Sequence, residues 1–280
     1  MPENTKPAVG WIGLGDQGLP MALAIAGAGY PLHAWARHPA SLDALSGTVH
    51  VGHGEVRDLA GACDIVCLCV STDDDVTQLV TGGLLDGMHP GSVVVNHGTG
   101  TPGNAVRLTE ACAASGVDVL DAPVSGGRPG AEAKALTTLV GGPEAVAERC
   151  EPLFRSFSAH VLYLGAAGSG QAAKLFNNAL LMMNQASIAD IVELAASFAM
   201  LDPVTLVDAL RLGSASSAAL TLLNTMITPG TVDHLSAVEA EDMRIFDRAM
   251  TEGGVNAHTA TARGLAGANG LPALIRRLNP

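Results

Sequence analysis

The chain has 280 residues, 48% of them hydrophobic and 15% charged, with a formal net charge of −12 at pH 7. That composition excludes a disordered or tail-rich protein. The 12 Arg and 3 Lys are scattered, which excludes the basic stripe that phosphate backbones need, so a small-molecule substrate is expected and no nucleic-acid partner.

At this length, one large α/β domain with a smaller companion is the natural expectation. From Ala8 to about Gly165, short apolar runs alternate with helical patterns, as repeated β-α units and a mostly parallel sheet require. Strands are predicted at 9–13, 32–36, 65–70, 92–96, 117–121, 137–141 and 161–164, with functional loops at their carboxyl ends. The five cysteines are odd in number and lack paired ligand spacing, so no metal is expected. Cys67 and Cys69 alternate on one face of a buried strand, as small core residues of a reducing compartment. Residues 1–7 lack the apolar run of a secretion signal, and no membrane span is expected, so the predicted location is the cytoplasm.

The pattern changes after Gly168-Ser169-Gly170. From Gln171 to about Met200 there is neither Pro nor Gly, which predicts one helix roughly 45 Å long at 1.5 Å per residue. Its polar positions, among them Asn178, Gln185, Asp190 and Glu193, favour a packed core helix over a membrane span. Beyond Asp202-Pro203 the chain reads as helical, with turn signals at Gly213, Pro229-Gly230, Gly253-Gly254 and Gly270. The predicted division is residues 1–165 and an all-helical substrate and dimerisation unit, residues 166–280.

The motif Gly13-Leu-Gly-Asp-Gln-Gly18 follows a predicted strand and opens a helix over 17–28, the context in which GxGxxG spacing carries meaning. Gly13 permits the tight turn, Gly15 lets backbone approach a pyrophosphate, and Gly18 lets helix pack on strand, with Asp16 and Gln17 in the same loop. This predicts a Rossmann, doubly wound sheet. The tip of the second strand then selects the cofactor: Leu32-His-Ala-Trp-Ala36 is followed by Arg37 and His38, with no carboxylate for the ribose hydroxyls. A guanidinium there suits a 2′-phosphate, so NADP is expected over NAD. Val70, Ser71 and Thr99, at carboxyl ends of later strands, complete the predicted cofactor set.

Three stretches together resemble the β-hydroxyacid dehydrogenases, which include 3-hydroxyisobutyrate dehydrogenase, tartronate semialdehyde reductase and, more distantly, 6-phosphogluconate dehydrogenase. They are Gly10 to Met21, Asp121-Ala-Pro-Val-Ser-Gly-Gly127, and Gly168-Ser-Gly-Gln-Ala-Ala-Lys-Leu-Phe-Asn-Asn178. The resemblance implies that the stretch at Ser125, Gly126 and Gly127 holds a substrate carboxylate, that Lys174 is the acid/base and that Asn178 orients the substrate oxygen. It also implies a homodimer. Independently, Lys174 and Asn178 are four residues apart and share one helix face, and the Gly126-Gly127 backbone suits an anion. Two positions depart from the family: Gly98 stands where a serine is usual, and Glu241 where a lysine is. An imine reductase and a nicotinamide-binding sensor without turnover are the alternatives.

Overall fold

The computed structural model describes residues 6–198 and 200–279. They form two compact units, divided between Lys174 and Leu175. In chain order the first holds β1 (Val9–Ile12), α1 (Gly18–Gly27), β2 (Leu32–Trp35), β3 (Val51–Gly52), α2 (Val56–Gly61), β4 (Ile65–Leu68), α3 (Asp73–Leu79), α4 (Leu85–Gly87) and β5 (Val93–Asn96). It continues with α5 (Pro102–Ala113), β6 (Asp118–Asp121), β7 (Val124–Ser125), α6 (Gly127–Glu132), β8 (Leu136–Gly141), α7 (Glu144–Phe154), β9 (Ser158–Gly165) and the start of α8 (Ser169–Ser197).

The sheet runs β3-β2-β1-β4-β5-β6-β8, with β7 and β9 each pairing β8. The first six strands are parallel, as the β-α alternation predicts. β8 is antiparallel to β6 and β7. The two-residue strands β3 and β7 escape sequence reading because they are too short to show periodicity. Each residue of β1, β4 and β5 is buried, the pattern of strands covered on both faces. One cluster gathers Trp11, Met21, Ile25, Cys67, Phe154 and Phe157, with Cys69 packed against it, so both cysteines serve one core face as expected. Alternate residues build the second cluster, with Leu59, Leu68, Val76, Leu84 and Leu108. Strand order reverses at β1, whose neighbours are β2 and β4, and this opens a crevice at the carboxyl ends of β1 and β4.

The second unit is helical, with the remainder of α8, α9 (Pro203–Leu212), α10 (Ala218–Leu222), α11 (Val232–Glu252) and α12 (His258–Leu278). Capping explains the boundaries: Asp202 accepts the Thr205 N–H ahead of Pro203, and Ser217 accepts that of Leu220. The expected turns at Gly213, Pro229-Gly230 and Gly253-Gly254 lie at helix ends, but Gly270 does not; it lies inside α12. That helix is rich in glycine for another reason. A Cβ on Gly267 would come within 1.9 Å of Met182 O, so α8 and α12 cross in close contact.

α8 is long and apolar enough to cross a membrane by length and composition alone. Within its unit it is a packing helix: Leu175, Ala179 and Met182 join Met243, Phe246 and Met250 of α11, and Val192 packs with Leu271 and Leu274 of α12. Its acidic residues are engaged by α12, Asp190 with Arg263 at 2.7 Å and Glu193 with Arg277 at 2.9 Å.

Candidate functional site

The loop between β1 and α1 carries Gly13, Gly15, Asp16, Gln17 and Gly18 to the crevice. A Cβ on Gly18 would lie 2.0 Å from Gly13 O, so only glycine lets α1 start this close to the strand, whereas a Cβ on Gly15 would meet nothing within 4 Å. Gly15 therefore presents bare backbone to open space, a cradle of the shape a pyrophosphate fills. Gln17 occupies the N-cap position of α1 without a side-chain cap bond, and the Leu19 N–H turns back to Gly15 O at 3.0 Å. Asp16 is exposed, 3.8 Å from Arg128. The Trp11 indole donates to Gly13 O at 2.8 Å and braces the loop from below.

Next to it, Arg37 leaves the tip of β2 and meets Asp75 of α3 at 2.5 Å. The absence of a carboxylate near the β2 tip, inferred from the sequence, is thus corrected: α3 supplies one from 38 residues away. Asp75 also accepts a hydrogen bond from Thr72 Oγ1 at 2.8 Å. The bonds from Arg37 and Thr72 hold its carboxyl below the usual value, against a smaller opposing effect of burial. A cleft of about 320 Å³ is lined here by Trp35, Arg37, Arg57, Gln78 and Gly82. Arg57 is a second guanidinium that sequence reading missed, because it lies outside the β2 tip. His38 is exposed. Val70 and Ser71 follow β4 beside the Gly13 loop, where Cys69 N donates to Ile12 O at 2.8 Å.

The second half of the site is assembled around the start of α8. Asp121, at the end of β6 and 1% exposed, accepts the N–H of Gly168 with one oxygen and that of Gln171 with the other, both at 2.8 Å. Burial outweighs these bonds and leaves its carboxyl above the ordinary value. Gln171 spans to the loop after β5: its Nε2 donates to Gly98 O at 2.7 Å and its Oε1 accepts from Gly100 N at 2.8 Å. Thr99 lies between those two anchors. Asp73 fixes the far side of the loop by accepting from Thr101 N and Oγ1, each at 2.9 Å. The Gly98 departure has a steric cause, since a Cβ there would approach Val70 O to 2.5 Å.

Under this loop, His97 is buried, donating from Nδ1 to Ala122 O at 2.8 Å. Trp11 stacks on its ring at 5.6 Å, and Phe154 and Phe157 meet it edge-on. Burial pulls its pKa down to about 4, against the bond to Ala122, so it is neutral. Ser125 ends β7, and Gly126, at φ 131°, turns the chain into α6 at Gly127. Lys174 is half-buried one turn past Gln171, and Asn178 is buried one turn further on the same helix. In the second unit, Asn178 Nδ2 donates to Asp242 Oδ2 at 2.8 Å. Glu241 is exposed and paired with Arg244 at 2.8 Å.

Asp121, Gln171, Asp73 and Asp242 were missed as site residues. The signals for Asp121 and Gln171 were present in the motifs that contain them. Asp242 adjoins Glu241, the position already marked as departing from the family, and Asp73 carried no signal.

Two family descriptions match the chain in tandem. Residues 8–165 match the NAD binding domain of 6-phosphogluconate dehydrogenase, and residues 168–268 match the NAD-binding region of NADP-dependent 3-hydroxyisobutyrate dehydrogenase. The chain is 36% identical to the 2-hydroxy-3-oxopropionate reductase of Escherichia coli over 215 residues, 76% of this chain and 73% of that enzyme. It is 33% identical to the 2-(hydroxymethyl)glutarate dehydrogenase of Eubacterium barkeri over 184 residues, 65% of this chain but only 61% of that relative's length. The fold is similar to that of a 3-hydroxyisobutyrate dehydrogenase from Mycobacterium tuberculosis solved with L-serine, with a TM-score of 0.86, 24% identity and coverage of 98% of this chain and 100% of that one. With tandem family matches across most of its length and a dinucleotide cradle at the strand-order reversal, the chain belongs to the β-hydroxyacid dehydrogenase family of NAD(P)-dependent oxidoreductases acting on CH–OH groups.

Proposed function

We propose that the protein interconverts a small β-hydroxyacid and its semialdehyde or keto form, with NADP(H) as redox partner and Lys174 as the acid/base. The observation that carries this reading is the anchoring of α8. Asp121 fixes its first turn to the end of β6 and Gln171 fixes it to the loop holding Thr99, so Lys174 projects from a rigid origin. Positioning of this kind supplies much of what a proton-transfer residue contributes.

The dinucleotide, when bound, gives or takes the hydride. Gly13, Gly15, Gln17 and Gly18 hold its pyrophosphate, Asp16, Val70, Ser71 and Thr99 border it, and Arg37 takes the 2′-phosphate. Lys174 gives a proton to the carbonyl oxygen as the alcohol forms, and recovers it from the hydroxyl in the reverse direction. Asn178 uses one Nδ2 hydrogen on Asp242 and offers the other to that substrate oxygen. Ser125, Gly126 and Gly127 receive the carboxylate. Residues 1–165 act as the cofactor unit and residues 166–280 as the substrate and dimerisation unit of a homodimer. The free, largely buried cysteines suit the cytoplasm. No specific observation favours the imine-reductase or sensor reading.

The test is a fluorescence titration of Trp11 and Trp35 with NADPH and NADH, followed by turnover of Lys174→Met. Tighter NADPH binding and a loss of turnover of at least about 100-fold, with cofactor affinity retained, are expected. Preferred NADH binding would remove the Arg37 assignment, and near-wild-type turnover of the variant would remove that of Lys174.

A further inference from the structure

Two of the buried side-chain atoms lacking a hydrogen-bond partner among the described residues belong to a single pair, Gln185 Oε1 and Glu239 Oε2. Gln185, on α8, is 1% exposed and Glu239, on α11, is 6% exposed. The amide Nε2 of Gln185 donates to Glu239 Oε1 at 3.0 Å. With an ionised carboxylate, both remaining oxygens are acceptors without a protein donor in a buried helix interface, an arrangement folded proteins avoid. One proton on Oε2 turns one of these acceptors into a donor while the Gln185 bond to Oε1 is kept.

The pair shares its two helices with the contact that holds Asn178. Asp242 lies three residues past Glu239 on α11, and Asn178 lies seven residues before Gln185 on α8, joined at 2.8 Å. We propose that Glu239 is carried as a neutral acid bonded to Gln185 and acts as a positioning residue for Asn178, loosening the Asn178–Asp242 contact when it ionises. The proposal rests on the reading of Asn178 as the residue that orients substrate.

The surrounding charges agree with it. Burial first, and then the like charge of Asp242, push the Glu239 carboxyl up to about 7, against the bond from Gln185. On the other packed elements, Arg263 of α12 is engaged by Ser187 and Asp190 and Arg277 by Glu193. On α11 itself Arg244 is engaged by Glu241, and His234 is exposed. Ionisation near neutral pH therefore places a second negative charge beside Asp242 within the interface.

The experiment uses the full chain without cofactor or substrate. Infrared titration should show a protonated-carboxyl band at pH 6 that disappears with a midpoint near 7 and is missing from Glu239→Gln. The side-chain amide resonance of Asn178, assigned by its loss in Asn178→Leu, should move with the same midpoint in the wild type, with about tenfold faster exchange at pH 8.5 than at pH 6, and stay flat in Glu239→Gln. Should that variant not fold, Gln185→Leu keeps the acid without its partner and must shift the band. Absence of the band at pH 6 overturns the neutral acid, and a band that titrates while the Asn178 signal stays flat overturns the positioning role. Neither readout depends on turnover, so their failure and that of the proposed reaction are told apart.

Discussion

Under the proposed reading, cofactor choice rests on one residue pair, Arg37 and Asp75. A 2′-phosphate needs the guanidinium that Asp75 already engages at 2.5 Å, and it arrives beside a carboxylate held ionised by Arg37 and Thr72. Exposed ion pairs are weak, so displacement costs about 1 kcal/mol or less. Asp75→Asn is accordingly expected to tighten NADPH about fivefold and leave NADH nearly unchanged, read by Trp35 fluorescence. Equal loosening of both dinucleotides would instead make Asp75 a purely structural partner of the Thr72 cap. Arg37 itself was legible in the sequence because it follows a strand at a fixed offset. Its partner was not, since 38 residues separate them.

At the scale of an element, the start of α8 depends on Asp121. Its two oxygens satisfy two backbone donors at a buried helix N-terminus, where the helix dipole also favours a carboxylate. Asp121→Asn presents an NH2 to one of those donors and leaves it unsatisfied, for an expected loss of about 2–3 kcal/mol in urea denaturation. Gln171→Leu removes both bonds to the loop carrying Thr99 and is expected to weaken NADPH binding while leaving the helix formed by circular dichroism. If circular dichroism instead reports loss of α8, Gln171 is a folding residue. The length and packing of α8 were readable from its residue pattern. The placement of its first turn against the end of β6 and the loop after β5 was not, because those partners lie 47 to 73 residues away.

For the whole molecule, the two units carry buried ionisable groups of opposite sign. His97 in the first unit has its pKa lowered to about 4. Between the usual 6.5 and that value the unfolded chain takes up a proton that the folded unit refuses, so stability falls as pH drops. Glu239 in the second unit has its pKa raised to about 7. From about 4.5 upwards the unfolded chain releases a proton that the folded unit keeps, so stability falls as pH rises through 7. Each displacement is worth ~3 kcal/mol over its full range. Scanning calorimetry from pH 7 to pH 5 is expected to lower the midpoint of the first unit and raise that of the second, by several degrees each. Glu239→Gln should abolish the second movement alone. Parallel movement of both midpoints would show that neither group governs its unit.

Local chemistry was enough to determine the α/β alternation, the dinucleotide loop and the long helix, while the family was legible through the resemblance of three motifs. Apolar periodicity, glycine at fixed offsets and caps such as Thr101-Pro102 and Asp202-Pro203 act within one or two turns, so they are written in consecutive residues. Gly270 was misread for the same reason, since a glycine that lies within a packed helix looks locally like one that ends it. Tertiary structure alone decided which polar groups meet: Arg37 with Asp75, Gln171 with Gly98 and Gly100, Asn178 with Asp242, Gln185 with Glu239. Those pairings follow from how sheet and helices pack, and burial then sets their protonation, because a group's pKa depends on the dielectric and charges that distant segments bring to it.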